Sequence, residues 1–505
     1  MMLASKRFSF LSFSESRFPL SRGSFSQIWL MVVAAAVLAL AGCGGSTSRP
    51  TPTGGFTAAS LTGTYAFAFS GTDANGFFSV AGSLQANGSG QITSGVEDIN
   101  RGAGIATNVP ITGTYVIRAD GRGVATLNSS ATNFTLSFVI VSSSKALLTR
   151  FETGASAGGT LDLQSPSAFS TTALAGTFAF NLSGIDAAGN ALATIGSLTT
   201  NNTGAVTAGV QDSVDNGVVL TNQAITTAGS SITVSTTNGR GTATIVTTTG
   251  TLTFAFYVVD ANHIKLVETD AGTTLAGDAF RQNGPFTNAS ITGPFAFVVA
   301  GADTVAGGPF AAGGVITADG AGNITSGTED INDAGTIRSN LAVTGTYSLT
   351  SSRGTFTLTS TAGTFTFVAY PTTAGIQVLE TDTGIVTSGS AVQQSGTFSN
   401  ASISGTYALN FGGVSTAGEL DSTAEFTANG TGSLTGIIDI NNVGTLATGS
   451  VLQGTYTVGA NGRGPFTLST GLGTQNMAVY AIDGTRALFI ELDNNVVLTG
   501  EIRHQ

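Results

Sequence analysis

Three charged positions recur through a chain that is otherwise nearly without charge. Only 9% of the 505 residues are Asp, Glu, Lys or Arg. Yet one acid returns as Asp98, Asp212, Asp330 and Asp439, and an arginine as Arg122, Arg240, Arg353 and Arg463. A second acid closes a later strand as Glu152, Glu268, Glu380 and Glu491. Two neighbouring acids can hydrolyse a glycosidic bond if their separation and pKa values suit. An acid beside an arginine makes a bidentate ion pair, which fixes a turn or holds a ligand. Four near-equal copies fit a structural pair or a binding surface better than a catalyst. The expectation is a pair inside each module, with Arg240 beside Asp212, Glu268 or both. Strict strand alternation puts Asp330 on the face of Ile324, and Glu380 on the face of Ile376 and Val378, so both acids would point inward.

Other reactive groups are few. The two histidines, His263 and His504, are not repeated and read as surface residues. A His-based triad or a zinc site needs more partners than these. The Gly-Arg-Gly triplets sit in turns, with no helix for them to open as a dinucleotide site. Asp270, Asp382 and Asp493 raise the thought of calcium, but no dense loop of oxygen ligands surrounds them. The chain therefore reads as a non-enzyme with no metal and no cofactor.

The elements that carry these residues are written four times. Leu61-Thr62-Gly63-Thr64-Tyr65-Ala66-Phe67 returns at Leu174–Phe180, Ile291–Phe297 and Ile403–Leu409. A period of more than a hundred residues means tandem domains, since solenoid units are about 20–50 residues long. Apolar residues alternate with Thr, Ser and Gly, which favours strands. Asn87-Gly88 and Asp120-Gly121, echoed by Asn238-Gly239, Asp319-Gly320, Asn429-Gly430 and Asn461-Gly462, supply the positive φ of tight hairpins. Module 1 reads as eight strands, near 61–70, 77–86, 90–99, 105–117, 122–128, 133–141, 145–152 and 158–164. The expectation is all-β: four tandem antiparallel eight-stranded meanders, each an up-and-down barrel, with a β-sandwich as the alternative.

The Gly-Thr-Tyr or Gly-Thr-Phe opener on the first strand resembles the start of calycin barrels, the lipocalin and avidin group. Those families carry Trp where this chain has Tyr65, Phe178, Phe295 and Tyr407. The resemblance implies barrel shape, and with it the alternative role of carrying small apolar ligands against side chains such as Phe67, Phe69 and Phe138.

Residues 1–42 read as an export signal, with Lys6, Arg7, Arg17 and Arg22 ahead of an apolar run from Ile28 to Leu40. The run ends in Leu40-Ala41-Gly42-Cys43, which resembles the lipobox of bacterial lipoproteins and implies cleavage before Cys43 and lipidation of it. Cys43 is the only cysteine. Residues 43–55 are a flexible tether, followed by modules at 56–168, 169–285, 286–397 and 398–505. The formal charge of −11 becomes more negative once the basic leader is removed, which argues against nucleic acid as a partner. The address expected is the bacterial cell envelope. Attachment is through the N-terminal lipid, and Gly44 and Gly45, with no Asp following the cysteine, point to the outer membrane. A surface glycan, a protein or a small apolar ligand are the partner classes left open, for an adhesive, structural or multivalent binding role.

Overall fold

The computed structural model describes residues 55–505 apart from Ala103 and Leu472, so the signal, Cys43 and all but the last residue of the tether lie outside the described residues. In the first repeat, β1 (Thr62–Asp73), β2 (Gly76–Asn87), β3 (Gln91–Asn100) and β4 (Ile105–Ile117) pair in order. They are followed by β5 (Arg122–Ser129), β6 (Asn133–Ser142), β7 (Lys145–Glu152) and β8 (Ala155–Leu163). β1 then pairs with β8, from Tyr65 opposite Leu163 to Asp73 opposite Ala155, which closes barrel 1. The short turns force antiparallel neighbours. At the β2–β3 turn Asn87 accepts from the N–H groups of Ser89 and Gln91, while Gly88 and Gly90 both take positive φ. That turn is longer than a two-residue hairpin, and the Asn side chain holds it.

Three further eight-stranded antiparallel barrels follow, spanning Gly176–Arg281, Thr292–Gln393 and Ser404–His504. In barrel 3 the fourth strand is split at Val343 into Thr336–Ala342 and Thr344–Ser351. The circuit still closes, because Asn323 and Ile324 pair with Thr346 and Gly345. No α-helix occurs among the described residues. The closed circuits decide against a sandwich, and closure removes the exposed edges an open meander would leave.

Inside each barrel the alternation delivers one large residue against one small one. A Cβ on Gly82 would lie 2.2 Å from the Phe67 ring, and one on Gly196 2.5 Å from Phe180. Barrel 3 repeats the match with Gly314 and Phe297 at 2.9 Å. Barrel 4 has Leu409 and Ala424 at these places, a smaller residue facing a larger one. In barrel 1, Phe69 meets Phe78 and Phe134 edge-on at 6.3 and 5.1 Å, filling the centre with aromatic rings. Tyr115 closes the end by donating to the Leu61 carbonyl at 2.8 Å, as Tyr347 does to Ile291 and Tyr456 to Ile403.

The outer faces are small and apolar where barrels meet. Ala66 of the repeated opener is buried with Ala255, Tyr257 and Val267 of barrel 2. Ala179 packs with Tyr370 and Leu379 of barrel 3, and Ala296 with Tyr480 and Ile490 of barrel 4. Ala408 packs back on Val139 and Leu147 of barrel 1. The four barrels therefore form a closed ring, joined through the alanine of the opener.

Candidate functional site

Each of the first three joints is built around an aspartate that ends the third strand of one barrel. Asp98 accepts from Arg240 of the next barrel, Nε at 2.8 Å and Nη2 at 2.6 Å, and from the Tyr257 hydroxyl. Its own barrel supplies the Asn108 N–H at 2.9 Å. Asp212 repeats this with Arg353 at 2.9 and 2.6 Å, Tyr370 at 2.5 Å and the Asn222 N–H at 2.7 Å. Asp330 does so with Arg463, Tyr480 at 2.8 Å and the Asn340 N–H at 2.8 Å. Asn108, Asn222 and Asn340 all hold φ between 54° and 57°, a left-handed conformation Asn tolerates and which turns the N–H onto the carboxylate. The aspartates are fully buried, while the arginines keep 16–23% of their side chains accessible. Hydrogen bonding to Asp98 raises the Arg240 pKa, and burial, then Asp98, pushes the Tyr257 hydroxyl well above its usual value.

The pairing expected inside each module does not form: Arg240 meets Asp98, not Asp212 or Glu268. The cause is one extra residue. Gln85 pairs with Ser94 but Ala86 pairs with Ile92, so Thr93 bulges out of register. Thr207 and Thr325 do the same in barrels 2 and 3. A bulge inverts the alternation beyond it, so Ile324 faces the core and Asp330 faces the neighbour. Barrel 4 has no such bulge, and Leu434 stands one residue closer to Asp439, with the same outcome.

The fourth joint, from barrel 4 to barrel 1, is different. Arg122 is held by Asp120, at 3.2 and 3.0 Å, and its Nη1 stands 3.7 Å from Asp439. Asp439 takes the Ser137 hydroxyl at 2.9 Å and the Gly449 N–H at 2.6 Å.

The third repeated position is corrected in one module. Glu268, Glu380 and Glu491 face into their barrels, but the residue at that place in barrel 1 is Arg150. Thr149 and Arg150 pair with Gly158 and Ala157, as Val267 pairs with Ala276. Glu152 instead matches Asp270, Asp382 and Asp493. Each accepts an N–H from near the start of its neighbouring strand, two or three places in: Thr135, Thr253 at 2.5 Å, Thr366 at 2.7 Å and Asn476 at 2.9 Å. These acids accept backbone N–H groups, and no cluster of three or more His, Cys, Asp or Glu side chains placed to hold a metal ion occurs among the described residues. Glu380 donates or accepts only with the Thr387 hydroxyl at 2.6 Å, and burial raises its pKa to about 8. Burial raises Glu97 and Glu268 to about 7 and Glu491 to about 10.

Two clasps escaped the sequence reading. Asn100, Asn332 and Asn441 each donate to carbonyls of the next barrel, Asn441 reaching Arg150 at 2.7 Å and Ala155 at 2.6 Å. Gln164, Gln282 and Gln394 donate to Val258, Pro371 and Ala481 carbonyls. Gln505 reaches back to Ile140 at 2.6 Å. The signal for the glutamines was their recurrence at each module end. His504 is exposed beside the Tyr407 ring, whereas His263 lies between barrels, stacked on Phe280 at 4.5 Å.

The barrel interiors leave little room. Barrel 2 encloses about 50 Å3 against Phe178, Phe180 and Phe254, and barrel 3 about 30 Å3. Pockets for drug-sized ligands are roughly 300–1,000 Å3.

No family model and no curated protein matches the chain. Among solved structures, the chain is similar to intact Ap-TbpB with its N and C lobes, at 8% identity. The match covers 87% of this chain and 75% of that one with a TM-score of 0.14, a likeness that carries no argument here.

Proposed function

We propose that this chain is a lipid-anchored bacterial envelope protein, without enzymatic activity, whose four barrels act as one scaffold for multivalent contact with a surface glycan or protein. The observation that carries this reading is the joint that recurs around the ring and brings Gln505 back onto barrel 1. The charged positions at three joints serve as interlocks between barrels, with their carboxylates saturated by donors and unavailable to substrate. Module limits at 56–168, 169–285, 286–397 and 398–505 then mark units that each deliver one barrel.

Leu40-Ala41-Gly42-Cys43 supplies the anchor, and several acyl chains on Cys43 hold a protein at a membrane where one chain would not. The outer membrane is the address this reading assigns. The test is Cys43→Ser in the producing bacterium, with acyl-chain labelling and membrane fractionation. Loss of label and release from the membrane fraction are expected; a variant still labelled and membrane-bound would sink the anchor. The apolar-carrier role is disfavoured by interior cavities of about 50 and 30 Å3 in barrels 2 and 3, far below the roughly 300–1,000 Å3 of a small-molecule pocket.

A further inference from the structure

The room in this molecule lies between the barrels. Three adjoining cavities of about 470, 490 and 520 Å3 are lined from several barrels at once. Ser70, Ala300, Gly412 and Thr499 line the first two, and Ser388, Gly389, Ser390 and Arg486 line the second and third. They follow the axis of the ring, where first and last strands of the barrels face one another.

The third cavity is charged. Barrel 1 contributes Lys145 and Asp162, barrel 2 His263 and Asp278, and barrel 4 Arg486 and Arg503. Asp162 takes Lys145 at 2.9 Å and Lys265 at 2.8 Å. Lys265 also stands 3.6 Å from Asp278, which bonds His263 at 2.7 Å. Arg486 and Arg503 share one acid, Glu501, each through Nε at 3.1 and 2.9 Å. Three basic side chains, Lys145, Arg486 and Arg503, thus line the space with two carboxylates, Asp162 and Asp278, while Lys265, Glu501 and Asp483 stand behind them, in a chain whose formal charge is −11.

The imbalance has a visible origin in the repeat. Lys265 and Asp278 are cross-strand partners in barrel 2, and the same places in barrel 3 hold Gln377 and Ser390. In barrel 4 they hold Leu488 and Glu501. Barrel 3 therefore presents a neutral, hydroxyl-bearing wall to a cationic one. The Nη groups of Arg486 and Arg503 make no hydrogen bond to any described residue, and both side chains stay 25% accessible. Asp278, deep between barrels, is 40% accessible, so the chamber admits solvent. Burial first, then Lys265 and Arg503, lowers the Lys145 pKa, and only Asp162 and Glu501 oppose them.

We propose that this chamber binds a small hydroxylated oxyanion, a sugar acid or sugar phosphate, with its anionic group on Arg486, Arg503 and Lys145. Two guanidinium forks suit the paired oxygens of a carboxylate or phosphate. Ser388, Ser390, Asn181 and Gln377 line the same space and offer donors and acceptors to hydroxyls. A volume of about 520 Å3 lies within the range of small-molecule sites.

Calorimetric titration of the full-length lipidated protein in detergent, at low salt, tests this with sodium glucuronate, glucose 6-phosphate and neutral glucose. One or both anions should bind and glucose should not. Glucuronate alone would assign a sugar acid, glucose 6-phosphate alone a sugar phosphate, and both the shared charge chemistry. Arg503→Gln should weaken binding by at least ~10-fold, equivalent to about 1.4 kcal/mol. Ser390→Asp places a carboxylate on the neutral wall, as barrel 2 already does with Asp278, and should abolish binding without touching a joint. Failure of both anions to bind, equal binding of glucose, or unchanged affinity in a folded Ser390→Asp protein overturns the proposal.

Discussion

The three joints between successive barrels and the one that closes the ring solve the same problem with different chemistry. Successive joints insert a Tyr and an Arg onto one buried Asp. In the closing joint Val139 stands opposite Arg122, where Tyr257 stands opposite Arg240 and Tyr480 opposite Arg463. Without that hydroxyl Arg122 folds back on Asp120, and Ser137 serves Asp439. Ser156 adds a bond to Asp421 at 2.7 Å. Successive joints link residues 133–142 apart, while the Ser137–Asp439 bond spans 302. Loop-closure entropy grows only slowly with such separations, so the ring can close with weaker groups. The difference teaches that the bidentate arginine and tyrosine hydroxyl on one aspartate are not what makes a joint possible, since Arg122 only approaches Asp439 at 3.7 Å. The small outer face, Ala66 and its counterparts, is common to all four.

The largest break in this comparison should come from Asp330→Ala. It leaves Arg463 and Tyr480 facing each other without their acceptor, and removing one partner of a buried pair costs about 3–5 kcal/mol. Denaturant unfolding of the full chain reads this directly. Asp439→Ala should cost less, about 1–3 kcal/mol, because Arg122 keeps Asp120 and chiefly Ser137 and a backbone N–H lose an acceptor. Equal losses in the two variants would show that the joints are energetically alike and that the distinction drawn here is only geometric.

Much of this was legible in the repeat. The four openers, the Asn-Gly and Asp-Gly turns and the period give strand order and antiparallel pairing, because these are local properties of the chain, while the choice between barrel and sandwich rests on the pairing of first and last strands. Which residues pair was not legible. Asp98 and Arg240 are 142 residues apart, and the repeat places an equivalent Arg122 much nearer in sequence. A single bulged residue at Thr93 decides the face, and nothing in Gln91-Ile92-Thr93-Ser94-Gly95 announces it. The register of Glu152 was missed for a related reason. Its neighbour Arg150 replaces the inward acid, and an acid two residues on takes its apparent place. The cationic chamber is built at equivalent places of the repeat, Lys145–Asp162, His263–Phe280 and Arg486–Arg503, but the residue types there differ from module to module, so no recurring motif reports it.

A second contrast separates the outward aspartates from the inward glutamates, and pH sharpens it. Asp98, Asp212 and Asp330 are saturated by donors, whereas both Glu268 oxygens and one Glu380 oxygen lack any partner. Burial raises Glu380 to about 8, so the folded chain binds more protons than the unfolded chain above the ordinary carboxylate pKa. That stability is fully present below about pH 4.5 and is lost as pH rises through about 8. The loss per proton is at most about 1.4 kcal/mol per pH unit. Glu380→Gln should flatten the decline between about pH 5 and 8 in an unfolding series. A wild-type curve that rises over that window would mean these acids are ionised and solvated in the folded barrel.

The smallest effect expected is that of Tyr370→Phe, and it isolates what the closing joint does without. The Tyr370 hydroxyl reaches Asp212 at 2.5 Å, but Arg353 and the Asn222 N–H already bond both carboxylate oxygens. Removing the hydroxyl deletes one donor and leaves no acceptor bare, and the ring still packs with Ala179 and Leu379. The cost should therefore be about 0.5–1.5 kcal/mol, the net worth of one hydrogen bond. A loss as large as that of Asp330→Ala would mean the tyrosine, not the arginine, holds the carboxylate in place. The closing joint, with Val139 at that position, would then have to draw its stability from its own bonds: Ser137 to Asp439, Ser156 to Asp421, and Asn441 to the barrel 1 carbonyls.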